Sequence, residues 1–365
     1  MRIFYYLGGY ISHRLAGLEY ISCLRALGHD VSCNFPDLLS NPQSELETKA
    51  ARHSLAFVHE EALAERARQA DLFILHEDPY IYGELLSFLP SLRQKPPVVY
   101  LPWETNELPQ AWHAPLTIAG SVWTCSEFSR RAFSRVCAQT EVLPHVVRRP
   151  RASLDALQWG KELLRQQGAE GALVFLSVMD GLNPRKNLTG LLAAFSLLRR
   201  KTSRPVRLVV KQYRAALPLE EYPDVINIPD MLDDGRMAAL YALCDAYVSP
   251  HHAEGWGLSL SSAMALGKTV IATGYSGNLE FMNPKNSLLL PYQLVHITQE
   301  ATAAFPLFRQ EMRWAEPDLP AMVQAMFLVA EKKVPTGLNQ EAARIAEHFG
   351  QERICRRLKE LLEKM

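Results

Sequence analysis

Short runs of β-branched and aromatic residues alternate along this chain with longer stretches whose apolar positions recur at helical spacing. The first run, 3–7, ends at Gly8-Gly9. Positions 15–27 then carry an apolar stripe of helical period that stops at Gly28, a residue suited to the left-handed turn closing a helix. Further strands are expected at 29–33, 72–75, 98–101, 121–125 and 141–143. The segment 36–70 is polar and helix-prone, and the pattern fixes no element within it.

The rhythm restarts in the second half. Strands are expected at 173–178, 206–211, 225–228, 246–249 and 269–273, and helices at 188–198, 236–243 and 259–266, the last closed by Gly267. Strands interleaved with amphipathic helices argue for parallel sheets covered by helices. The expected architecture is therefore α/β with two doubly wound domains, 1–168 and 169–340, joined through a helix-like run at 153–167. The tail 341–365 reads as an amphipathic helix pair packing back across the domains.

Composition narrows the function classes. With 48% hydrophobic and 21% charged residues over 365 positions, both halves can bury cores. Lys+Arg 39 cancels Asp+Glu 39, which argues against sequence-blind nucleic-acid binding, because that affinity comes from phosphate neutralisation. Two local basic clusters, Arg148-Arg149/Arg151 and Arg199-Arg200-Lys201/Arg204, read as solvated faces, or as contacts to phosphate or a membrane surface. Six scattered cysteines without CxxC read as free, buried small hydrophobes in a reducing compartment. Met1 opens directly into a strand, and no apolar stretch approaches the roughly 20 residues that span a bilayer, so a soluble cytoplasmic protein is expected.

Several familiar signatures are broken. Gly8-Gly9 is not GxGxxG. Residues 262–269 lack the first glycine of a P-loop and run from helix into strand, the reverse of its order. His251-His252-Ala253-Glu254 alternates across a strand end and finds no third cluster for a metal. In open α/β sheets, ligands bind beyond the carboxyl ends of strands. The loops that matter are then Gly8-Gly9, His76, Trp103-Glu104, Ser126, His145, 180–186, Lys211 and 251–256.

The block 251–267 is the most informative. A strand ends at Ser249-Pro250, Gly255 and Gly257 flank Trp256, and a helix begins near Ser259. Glycines admit close approach of backbone N–H groups, and the first helical turn offers unpaired donors and a positive dipole end, suited to a diphosphate. Glu254 supplies an acceptor for sugar hydroxyls.

This segment resembles the E-G-(F/W)-G-L…A-M-A-x-G block of family 4 glycosyltransferases, enzymes of GT-B fold that use activated sugars. Leu240-Tyr241…Asp245…Val248-Ser249-Pro250 is similar to the family's lead-in, Val270-Ile271-Ala272-Thr273 with Gly277-Asn278-Leu279-Glu280 to its next strand and acidic loop, and Asn286-Ser287-Leu288-Leu289 to the stretch after it. Pro184-Arg185-Lys186-Asn187 resembles the loop that contacts donor phosphates. Trp103-Glu104-Thr105…Leu108-Pro109…Trp112 and Ser126-Glu127-Phe128 resemble a subgroup linked with surface-polysaccharide assembly; Pro144-His145-Val146-Val147 sits at a family turn without its glycine.

The resemblance implies two Rossmann-like domains facing a central cleft, the N-terminal one for acceptor and the C-terminal one for donor. It implies sugar transfer from a nucleotide-diphosphate sugar to a glycan or lipid-linked acceptor, with retention and without a metal or other cofactor, at most peripherally on the inner membrane face. Arg185 and Lys186 would oppose charge growing on the β-phosphate, and Glu254 would orient the sugar. Donor contacts are expected from Gly9, Lys211, Gly255, Trp256, Gly257, Leu258, Ser261, Ser262 and Glu280, with Trp256 either on the sugar or in the core. Acceptor contacts are expected from His76, Trp103, Glu104 and His145.

Two positions depart from the pattern. Ser262 stands where the family has a second glutamate that holds the donor ribose, and Asp180 where it has an arginine. Three readings follow: a different donor nucleotide, such as a deoxyribose one; a serine reaching the ribose through water; or a binding subunit that has lost catalysis. A sugar-nucleotide epimerase of the same fold is a further alternative.

Overall fold

The computed structural model describes residues 1–34, 56–57, 60–213 and 217–365, so most of the polar segment for which no element was expected lies outside the described residues. The chain forms two compact units, 1–146 with 349–365, and 147–348.

In the first unit β1 (Arg2–Leu7), β2 (Asp30–Cys33), β3 (Ala56–Phe57), β4 (Leu72–His76), β5 (Val98–Tyr100), β6 (Ser121–Thr124) and β7 (Thr140–Val142) form one sheet in the order β3-β2-β1-β4-β5-β6-β7. All pairs are parallel, with Leu7 opposite His76. Strands β4 and β5 are buried at every position, which explains their unbroken apolar runs: both faces are covered. Helix Ile11–Ala26 lies close against β1, where a Cβ on Gly17 would stand 2.2 Å from the Leu7 side chain. Gly28 takes φ +83° just after that helix, as expected.

The second unit repeats the design. Strands β8 (Leu173–Met179), β9 (Val206–Gln212), β10 (Val225–Ile228), β11 (Ala246–Ser249), β12 (Thr269–Thr273) and β13 (Leu288–Leu290) order as β10-β9-β8-β11-β12-β13, all parallel. Phe175, Leu191, Phe195, Leu208, Ile271 and Met326 lie in its core. An antiparallel pair, β14 (Tyr292–His296) with β15 (Arg313–Pro317), follows the sheet. Both units thus carry the doubly wound order 3-2-1-4-5-6, whose direction reverses beside the first strand of each sheet.

The chain passes between units at 146–147, ahead of the limit expected at 168. The reason is helix Leu154–Gln166, whose Gly160 lets it approach helix Asp234–Leu243; a Cβ there would meet Leu243 at 2.6 Å. The tail, expected as a helix pair packing back across the domains, is shared between the two units. Helices Leu338–Ala343 and Ile345–His348 belong to the second unit and helix Gln351–Glu363 to the first.

Helix Gln351–Glu363 buries Ile354, Leu358 and Leu361, and Arg357 reaches Glu141 at 2.8 Å and the Val142 carbonyl at 3.0 Å. A disulfide joins Cys355 to Cys23, with Cα atoms 4.9 Å apart. This corrects the expectation of six free thiols: the two cysteines are 332 positions apart, and only the docking of last helix on first brings them together. Cys33, Cys125, Cys137 and Cys244 form no disulfide. Among the described residues no helix is long and apolar enough to cross a membrane.

Candidate active site

The sheet of the second unit reverses direction between β8 and β11, and the loops leaving these strands are stitched together. After β8, Asn183 accepts the Arg185 amide at 3.1 Å, and Pro184–Lys186 form a single 3-10 turn. Asn187 follows at φ +56°, caps helix Leu188–Lys201 by accepting the Gly190 amide at 3.0 Å, and donates its own amide group to the Pro250 carbonyl at 3.0 Å. Asparagine suits this position because its short polar side chain tolerates the left-handed region. The His252 amide donates to the Arg185 carbonyl at 2.8 Å, and the Arg185 guanidinium donates to the Ala253 carbonyl at 2.6 Å.

Glu254 is the centre of this corner. Its amide donates to Ser276 Oγ at 2.7 Å, and its carbonyl accepts from the Gly277 amide at 2.8 Å. Gly277 has to be glycine, since a Cβ would stand 1.8 Å from the Gly255 oxygen. The side chain of Glu254 meets Arg185 Nη1 at 3.2 Å and accepts a hydrogen bond from Lys186 Nζ. Arg185 and Glu254 are buried; Lys186 keeps about a fifth of its side chain exposed, at 22%. Burial on its own would raise the Glu254 carboxyl, yet Lys186 and then Arg185 outweigh it and hold the group down at about 2. At neutral pH the cluster is a carboxylate between two cations, formally one positive charge in excess.

Beside it, Gly257 at φ +97° precedes helix Leu258–Ala265 with no side chain capping the first amides. The first turn therefore presents N–H donors that lack intrahelical partners next to surplus positive charge. Gly255 is buried in the turn, and Gly257 and Leu258 are half-buried. Trp256 is enclosed: it packs on Phe281, ring centroids 4.8 Å apart, and its Nε1 donates to Ser261 Oγ at 3.4 Å. Ser261 in turn donates to the Leu258 carbonyl, whereas Ser262 is only half-buried. Lys211, at the end of β9, is buried, donates to the Gln212 carbonyl and lies 5.0 Å from the Tyr213 ring; burial lowers its pKa. Glu280 ends the 3-10 turn Gly277–Glu280 and is half-buried.

The neighbouring histidines are internally engaged. His251 lies between Ser249 Oγ and Asn278 Oδ1, and burial lowers it to about 4. His252 stacks on Trp314 at 4.5 Å and bonds the Ala315 carbonyl. Asn187 and Gly277, both within the segments that resemble the family, hold the loops together with Ser276.

The remaining candidates belong to the first unit. Gly9 donates its amide to Glu77 Oε2 at 3.0 Å. His76 and His145 are buried in a ring cluster: His76 bonds Tyr5 Oη at 3.0 Å, and His145 bonds Tyr20 Oη at 3.0 Å. Trp103 is buried on Trp112, with its Nε1 donating to Thr105 and to the Glu107 carbonyl. Glu104 is half-buried beside it.

Residues 161–293 match the family model described as "Glycosyl transferases group 1", a span that includes Arg185, Lys186 and Glu254. No curated protein matches the sequence. Solved structures share the fold over the whole chain. One is Anabaena Alr3699/HepE in complex with UDP and glucose, 15% identical, with all of both chains covered and a TM-score of 0.67. A second is sucrose-phosphate synthase from Thermosynechococcus elongatus, 16% identical, covering 100% of this chain and 98% of that one, at 0.64. A third is a glycosyltransferase from Rickettsia africae, 13% identical with the same coverage, at 0.62. Two doubly wound units, each built on an all-parallel main sheet, are the GT-B class expected from the sequence.

Proposed function

We propose that this protein is a glycosyltransferase that moves a sugar from a nucleotide-diphosphate sugar to a glycan or lipid-linked acceptor, with retention. The observation that carries the reading is the convergence of Arg185 and Lys186 on Glu254 beside the uncapped start of helix Leu258–Ala265. The match of the same span to a glycosyltransferase family supports it, as do the folds of the solved relatives, one of which holds UDP and glucose.

Transfer breaks the bond between the anomeric carbon and the β-phosphate oxygen, and negative charge grows on that phosphate. Cations and amides already fixed in place stabilise such charge without reorganising. Arg185, Lys186 and the first-turn amides are assigned that role, so the mechanism routes no step through a metal. The acceptor oxygen attacks the same face that the phosphate leaves, and its proton passes to the departing phosphate oxygen. Glu254 holds both cations in position and presents its remaining oxygen lone pairs to the sugar hydroxyls. Surface-polysaccharide assembly at the inner membrane face is the setting proposed for this reaction.

Ser262 supports a narrower statement about the donor. A half-buried serine provides no carboxylate for a ribose, so the site is assigned a weak demand for the 2′-hydroxyl. The test is release of nucleoside diphosphate from UDP-, GDP-, ADP- and dTDP-sugars by the purified chain, with and without saccharide acceptors. The expected result is acceptor-stimulated release from one of these donors, abolished by Lys186→Ala. Nucleotide binding without release from any donor would support a binding subunit instead. Interconversion of the donor sugar without an acceptor would support an epimerase.

A further inference from the structure

The first unit has a switch point of its own, between β1 and β4, and the residues there are not those the sequence pointed to. His76 and Trp103 are buried and bonded internally, whereas two large aromatic side chains at these strand ends are open: Tyr10 is 51% and Tyr80 62% exposed. Tyr10 stands edge-on to His13, ring centroids 5.6 Å apart.

The loops leaving β1 and β4 are bonded to each other. Glu77 accepts the amides of Gly9 at 3.0 Å and Asp78 at 2.8 Å, and the Gly8 amide donates to the His76 carbonyl at 2.9 Å. A Cβ on Gly8 would meet Glu77 at 2.5 Å, so the glycine lets the loop close on the carboxylate. A ring nitrogen of His13 and carboxylate oxygens of Glu77 and Asp78 lie within 4.8 Å of one another. His13 is buried, its Nδ1 has no hydrogen-bond partner, and burial lowers it to about 4, so the ring is neutral at physiological pH. Burial, then the neighbouring carboxylates of Glu77 and Glu104, push Asp78 up to about 7.

We propose that this switch point is a saccharide-binding site in which Tyr10 and Tyr80 face the sugar ring, His13 and Asp78 hydrogen-bond its hydroxyls, and phosphorylated sugars are rejected in favour of neutral and amino sugars. The proposal rests on the transferase reading in one respect: it names the chemical class of the acceptor. Amphipathic aromatic faces suit the C–H faces of a pyranose, and an unpaired imidazole nitrogen beside a carboxylate suits its hydroxyl edge. A phosphate dianion would instead meet Glu77, Asp78 and Glu104 in a partly desolvated corner, where like charges repel far more than in water. An ammonium group would be drawn in by the same carboxylates.

The test is saturation-transfer NMR on the full chain with methyl α-glucoside, glucosamine and glucose 6-phosphate. Glucosamine and methyl glucoside should show transfer, and glucose 6-phosphate about tenfold less or weaker still. Tyr80→Ala, at an exposed position, should leave the melting temperature unchanged and cut both signals about fivefold. Asp78→Asn should narrow the gap between glucosamine and glucose 6-phosphate. Equal signals for the phosphorylated sugar, signals unmoved by Tyr80→Ala, or no transfer to any sugar would overturn the proposal. So would stabilisation by Mn2+ or Zn2+ alone that His13→Ala removes, since the cluster would then be a cation site. Nucleoside diphosphate binding, read by thermal shift on the same samples, should be unaffected by Tyr80→Ala. Its absence while sugars still bind would remove the transferase reading and leave the saccharide site standing.

Discussion

Arg185 Nη1 lies 3.2 Å from Glu254 Oε2, across the two loops that leave β8 and β11, and the same guanidinium bonds the Ala253 carbonyl at 2.6 Å. A buried arginine between a carboxylate and a carbonyl is fixed in direction before any ligand arrives. Glu254 therefore has two effects that pull apart: it orders the cations and also competes with a diphosphate for them.

Glu254→Gln tests that division. Nucleoside diphosphate affinity should hold or rise, because a neutral amide competes less well for Lys186. Turnover should fall about a hundredfold through lost alignment and sugar contact. Glu254→Ala should in addition lower stability by about 3 kcal/mol, since it leaves the buried Arg185 without its counter-charge. Calorimetric titration, steady-state kinetics and thermal melts separate the three effects.

Gly277→Ala probes the loop behind Glu254. With the Gly255 oxygen 1.8 Å from the new Cβ, the backbone has to move, and a loss of about 3 kcal/mol is expected. Nucleotide binding should fall with it. Gly9→Ala, where a Cβ meets nothing within 4 Å, is the matched control and should melt within a degree or two of the parent.

Acid should loosen both units, the first through three buried histidines. His13 and His145 are held by burial at about 4 and about 3, and His76 well below its ordinary value, against about 6.5 unfolded. All three are depressed, so their contribution is intact above about pH 6.5 and is lost as pH falls toward the folded values. The slope is about 1 kcal/mol per histidine for each pH unit below about 6. His251 and His252, also lowered by burial, act the same way in the second unit, while Asp78, raised to about 7, opposes the histidines of the first. Calorimetry between pH 7 and 5 should therefore show both transitions moving down, the first less steeply in His145→Asn.

The disulfide between Cys23 and Cys355 joins the first helix to the last. Cys355→Ser, or reduction of the parent, should cost about 2–4 kcal/mol and expose helix Gln351–Glu363 to proteolysis. Equal protease resistance with and without reductant would show that Ile354, Leu358 and Arg357 hold the helix unaided.

Most of the sheet was legible because parallel strands buried on both faces leave an unbroken apolar run; 72–75 against the observed Leu72–His76 is typical. The corner around Glu254 was legible through its glycines and through resemblance, and Arg185 and Lys186 do meet there. Other features had no local signal. Cys23 and Cys355 are partners only in three dimensions, and β14, with most of its side chains open to solvent, lacks an apolar run. Trp103 looked like an open sugar platform, but the Glu107 carbonyl four residues on satisfies its indole and allows it to be buried. Tyr10 and Tyr80 were passed over because exposure depends on what the neighbouring loops cover, which spacing does not encode.

The most direct measurement is calorimetric titration of the preferred nucleoside diphosphate into the parent protein and into Lys186→Ala. The account predicts a single site on the parent and an affinity about tenfold or more weaker in the variant, with the melting temperature little changed because Lys186 is partly exposed. Equal affinity in the two proteins would contradict it, since the diphosphate would then be held elsewhere.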